Sequence, residues 1–242
     1  MMHDRAQVWL VSFLLILGIP FAALAEKDQR QAPQQPPAPV ATLETKAPPI
    51  KMLGKGLFEI GGVRIIKKEH RVEFPAAVNM DKGLLEYLVV GDLGKLHESL
   101  LRTRVEPYSL QIALLLLGLE GSTKPLTGQG AAQTPEGDPV DIFVRWENAG
   151  KERQVRIEEW VDLREAKPPE KFSWIFTGSV VYEGVFMAQI DKSIVAVFHD
   201  PAALIDHRMP AGANDEIWYA HEKKVPPPGT PVTVIIQKKG GA

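Results

Sequence analysis

The run over residues 107–117, Pro-Tyr-Ser-Leu-Gln-Ile-Ala-Leu-Leu-Leu-Leu, constrains the fold of this chain more than any other stretch. Proline suits the first turn of a helix, because its missing N–H would have no partner there, and Gly118 suits the position just past the end. From Leu110 onward apolar residues fall on nearly every face of such a helix, the pattern of a buried one. It is too short to cross a bilayer. The expectation is therefore a helix from Pro107 to Leu117 at the centre of the fold, wrapped by sheet.

The rest of the folded part reads as short strands. Leu-Phe-Glu-Ile over 57–60 and Val-Arg-Ile-Ile over 63–66 flank Gly61-Gly62, a hairpin signature. Arg-Val-Glu-Phe over 71–74 alternates, and Pro75 is expected to end it. Runs at 84–90 and 97–105 are joined by a turn-rich segment at 91–95. Further runs follow at 140–146, 154–157, 172–177, 180–182, 186–190, 194–198, 217–219 and 232–237. One helix among so many strands gives an α+β fold, mostly β, with short antiparallel strands around one buried helix.

Three segments precede or interrupt this pattern. Residues 1–25 read as a signal peptide. Arg5 supplies the basic start, an apolar run spans 8–21, and Ala23-Leu24-Ala25 offers the small residues that signal peptidase requires. A spanning anchor would need roughly 20 apolar residues without the late Gly18 and Pro20. Export to the periplasm or the medium, with no membrane span after cleavage, is the expectation. Residues 26–52 are rich in Pro and Gln, bury too little to offset the entropy of ordering, and read as a disordered linker. One domain is expected over 53–239, with a flexible insertion at 121–139 rich in Gly, Pro, Thr and Gln.

The chain has no cysteine, which excludes disulfides, thiolate ligands, Cys nucleophiles and iron–sulfur clusters. A formal net charge of −2 gives no electrostatic reason to expect a nucleic acid or a membrane surface as partner.

Several stretches carry a resemblance. They are Phe74-Pro-Ala-Ala-Val-Asn-Met80 with Gly83-Leu-Leu-Glu-Tyr87, Gly94-Lys-Leu-His-Glu-Ser-Leu-Leu101, and Leu110 through Gly118. Trp174-Ile-Phe-Thr-Gly-Ser179, His199-Asp-Pro-Ala-Ala-Leu-Ile-Asp206 and Asp215-Glu-Ile-Trp218 extend it. Together they resemble the YdjY-domain proteins of bacteria over residues 57–237, which implies an exported or membrane-associated protein and no particular chemistry. An iron–sulfur role does not transfer to a chain without cysteine.

Two His–carboxylate segments are the candidate site. On a strand, His97 and Ser99 would share one face and Glu98 the other. His199-Asp200-Pro201 and Asp206-His207 form the second segment. Imidazole nitrogen and carboxylate oxygen are ordinary ligands for a divalent metal, so His97, Glu98, His199 and Asp206 are the candidate ligand set. The competing reading makes them turn and cap residues, with Asp200 as an N-cap and Pro201 behind it. Asn214-Asp215-Glu216 reads as a turn and lacks the spacing of a calcium loop. No serine lies in a nucleophile-elbow pattern, and no glycine-rich phosphate loop precedes a helix. Two functions stay open on this reading: a non-catalytic binding or assembly module whose partner is an envelope protein, and a divalent-metal-dependent enzyme.

Overall fold

A computed structural model describes residues 48–164 and 172–240. The expected signal peptide and residues 26–47 of the expected linker lie outside them. The first strands are β1 (Lys51–Gly54), β2 (Leu57–Ile60), β3 (Val63–Ile66), β4 (Arg71–Val78), β5 (Tyr87–Gly91) and β6 (Ser99–Thr103). Helix α1 (Pro107–Leu116) follows, then β7 (Asp138–Asn148), β8 (Lys151–Arg156), β9 (Val161–Leu163) and β10 (Trp174–Phe176). The chain continues through β11 (Val181–Tyr182), β12 (Val185–Phe186), α2 (Met187–Asp191), β13 (Ser193–Ala196), β14 (Ile205–His207), β15 (Trp218–Ala220) and β16 (Pro231–Lys238).

Eight of these strands form a closed barrel. Its order is β4, β16, β7, β10, β14, β13, β5, β6, and the ring shuts where Ala77 and Val78 of β4 pair with Arg102 and Leu101 of β6. Two neighbours in the ring are parallel, β5 with β6 and β13 with β14, while β5 and β13 run antiparallel between them. Side strands extend the sheet at two places: β1, β2 and β3 continue from β4, and β8 from β7.

The expected α+β arrangement around a buried helix is corrected by this barrel. An eight-stranded barrel has an interior just wide enough for its own side chains, so a helix has no room inside it. The filling comes from alternate strand residues such as Val72, Phe74, Leu88, Leu100, Ile142, Val144, Phe176, Ile194, Val234 and Ile236. Helix α1 packs against β3 and α2 instead. It buries one stripe, Pro107, Leu110, Ala113 and Leu114, and leaves Leu115 and Leu116 exposed. Apolar residues all round the helix were a poor guide because part of that surface faces solvent. Among the described residues no helix is long and apolar enough to cross a membrane.

Pro75 does not end its strand. The far edge of β4 pairs with β3 only as far as Glu73 and with β6 only from Ala77, so Pro75 sits where one neighbour gives way to the other. Strand residues direct N–H and C=O to the same side. The Thr103 hydroxyl donates to Pro75 O at 2.6 Å on that side, and the missing N–H leaves no backbone acceptor unmatched. On the outer face Arg71 and Arg145 meet Glu73 at 2.9 and 3.0 Å, beside Ile235, which is buried although it points away from the main core. The same core takes in Trp160, Trp174 and Trp218, all fully buried, with Trp146 edge-on to Trp160.

Candidate functional site

The two parallel strand pairs create the site. Between β5 and β6 the chain must cross back within residues 92–98, and between β13 and β14 within 197–204. The first crossover carries Lys95, His97 and Glu98; the second carries His199 and Asp200. The two segments singled out in the sequence are thus equivalent connections on either side of the β5–β13 pair.

Tyr87, fully buried at the start of β5, ties the crossovers together. Its hydroxyl donates to Asp200 Oδ2 at 2.8 Å and accepts from Lys95 Nζ at 2.7 Å. The same ammonium lies 4.8 Å from the centroid of the Tyr87 ring. Gln129, from the segment after α1, donates to Tyr87 Oη at 3.3 Å and to Glu86 Oε2 at 3.1 Å. Burial, and then the Asp200 carboxylate, raise the pKa of the phenol. Burial raises the Glu86 carboxyl as well, with Glu98 next in effect through its charge and a hydrogen bond. Asp191 is raised by burial and by Asp200.

Behind this group lie three buried residues, His199 of the second crossover and Asp206 and His207 of β14. His199 presents Nδ1 to Ala131 O at 2.8 Å and Nε2 to His207 O at 3.0 Å. A neutral ring donates to one of these carbonyls and an imidazolium to both. His207 donates from Nε2 to Val197 O at 2.7 Å and accepts at Nδ1 from Met209 N–H at 3.0 Å, which defines the neutral Nε2–H form. Burial is the main cause that pushes its pKa down to about 3. Trp174, Trp218 and Phe172 surround the ring. Asp206 is entirely buried; its Oδ1 accepts from Asp200 N–H at 3.2 Å, and its Oδ2 has no partner within the protein. Burial lifts its carboxyl well above the usual carboxylate range.

Residues 121–137 carry no regular secondary structure and lie over this region. Both ends abut the backbone where β10 ends. A Cβ on Gly121 would fall 2.7 Å from Thr177 O, and one on Gly137 would fall 2.1 Å from Phe176 O. In the middle, Gly130 N–H donates to His199 O at 2.8 Å.

The four candidate ligands divide into two places. His97 lies in a 3-10 turn, Leu96–Glu98, rather than on the expected strand. Its side chain is largely exposed and its Nε2 is 3.3 Å from Glu98 Oε2. His199 and Asp206 are in the interior, with both nitrogens of His199 facing backbone carbonyls. Among the described residues, no three His, Asp or Glu side chains converge as a metal would require. Asp200 caps a turn and not a helix: its Oδ1 accepts from Ala202 N–H at 2.9 Å. Asn214 likewise closes a turn, accepting from Glu216 N–H at 2.9 Å. Sequence reasoning missed Tyr87, Lys95 and Gln129. An isolated tyrosine in an apolar run reads as core, and nothing local tells that a lysine eight residues along returns to it.

The YdjY domain family matches residues 63–237. Comparison with curated proteins and with solved structures returned no match. Since the matched stretch runs from β3 into β16 and takes in all eight barrel strands, the chain belongs to the YdjY domain family.

Proposed function

We propose that this domain is an exported, non-catalytic binding or assembly module of the cell envelope, with another envelope protein as its partner. The observation that carries the reading is how the buried polar side chains are used. His207 spends both nitrogens on backbone groups, His199 faces two carbonyls, and Asp200 holds a turn and the Tyr87 hydroxyl. Groups committed in this way build a scaffold; a general base or ligand set needs atoms turned toward a substrate. The outer surface offers apolar contact instead. Val181 and Tyr182 on the β11–β12 hairpin are 67% and 66% exposed, and Ile190 on the following helix is exposed beside them in sequence. Export is supported by the basic start, apolar run and Ala23-Leu24-Ala25 of the N-terminal sequence.

A photo-crosslinking residue in place of Tyr182, with one in place of Glu152 on the charged strand β8 as control, tests the partner. A discrete adduct with an envelope protein from position 182 alone is expected. No adduct, together with substrate turnover that His97→Ala and His199→Ala abolish at intact fold, would overturn the reading in favour of the metal-dependent enzyme. Export is checked by the mature N-terminus, which should be Glu26.

A further inference from the structure

A small cavity lies between residues 121–137 and the barrel. Its volume is about 10 Å³, and Ser122, Lys124, Leu126, Thr177, Ser179 and Asp206 are among the residues that line it. A single water needs about 10–15 Å³ by this measure, together with two to four polar partners. We propose that this cavity is a built site for one water molecule, which Asp206 Oδ2 holds and which cements the 121–137 segment to the barrel.

The hydrogen-bonding inventory of the walls selects water. Thr177 Oγ1 lies 3.1 Å from both Ala203 O and Leu204 O, so its proton is used and its lone pairs are available. Ser179 Oγ donates to Ala202 O at 2.7 Å and accepts from Ala188 N–H at 3.1 Å, keeping one acceptor site. Asp206 Oδ1 already accepts from Asp200 N–H. Asp206 Oδ2 is fully buried and has no partner within the protein. Thr177 Oγ1 and Ser179 Oγ each keep an acceptor site, and Asp206 Oδ2 is unmatched. A water, which both donates and accepts, bonds Asp206 Oδ2 and donates to a neighbouring hydroxyl oxygen. A metal cation would need more oxygen ligands than these. An unmatched buried Oδ2 costs about 1–3 kcal/mol, the driving force for retaining the water.

The test is a high-resolution crystal structure of the mature protein combined with water relaxation dispersion in solution. One isolated density peak at hydrogen-bond distance from Asp206 Oδ2 is expected, and one long-lived water is expected to disappear in Asp206→Leu, whose side chain fills the space. Asp206→Asn, which offers an N–H in the same place, retains the water and serves where the leucine variant fails to fold. An empty cavity in a map that shows other internal waters would overturn the proposal. So would a peak ringed by metal-length oxygen contacts, or a long-lived water count unchanged in a folded Asp206→Leu.

Discussion

Asp206 and His207, adjacent on β14, should make opposite contributions to the pH dependence of stability, and single substitutions should separate them. Burial pushes the His207 pKa from its ordinary 6.5 down to about 3. The unfolded chain thus binds a proton that the folded one refuses, and stability is lost as pH falls from about 6.5 toward about 3. At about 1.4 kcal/mol per pH unit the full loss from His207 is about 5 kcal/mol, and roughly half of it is already gone near pH 4.5. Asp206 has the opposite sign. Its folded pKa is raised well above 3.8, so the folded protein keeps a proton that the unfolded chain releases. Stability from this group is present below about pH 3.8 and is lost as pH rises. Where the two windows overlap, the slopes cancel in the unsubstituted protein. His207→Gln, neutral at every pH and able to donate and accept, removes one slope; its unfolding free energy should rise relative to wild type as pH falls, by about 2 kcal/mol between about pH 6.5 and 4.5. Asp206→Asn should move the other way. Urea denaturation at half-unit pH steps gives both curves. Curves for wild type and His207→Gln that stay parallel over this window would refute the reasoning.

Three other outcomes are expected. Phe74→Ala removes a fully buried ring from the barrel interior and should cost about 3–5 kcal/mol in denaturant titrations. Thr103→Val removes the hydroxyl that bonds Pro75 O and should cost about 1 kcal/mol, with faster hydrogen exchange near the β4–β6 seam. Gly212→Ala would put a methyl group 2.2 Å from the His199 ring, so calorimetry should show a lower Tm than for Gly54→Ala, where nothing lies within 4 Å.

Local chemistry was legible in the sequence and closure was not. The Gly61-Gly62 hairpin has strands β2 and β3 with the residues expected, because a two-residue turn between β-rich runs is decided locally. The run at 186–190 instead divides between β12 and α2, since an apolar run of that length suits either state. Pro75 looks like a stop in the sequence because its position opposite a change of neighbours depends on β3 and β6 together. The same holds at the site. His199 and Asp206 could be named from their residue types, but their burial depends on a parallel pairing of β13 and β14. His97 was read as strand because a crossover of so few residues between parallel strands leaves no periodicity behind it.

Strand β16 sits between β4 and β7 along nearly its whole length, with Val234 paired to Phe74 on one side and to Val144 on the other. The piece that joins the two halves of the barrel is therefore synthesised after the other seven strands of the ring. A nascent chain that has emerged only as far as residue 230 holds β4 and β7 with facing edges unmet, and it has no route to the closed ring. Folding of this domain is timed by β16: the ring stays open until residues 231–238 are delivered.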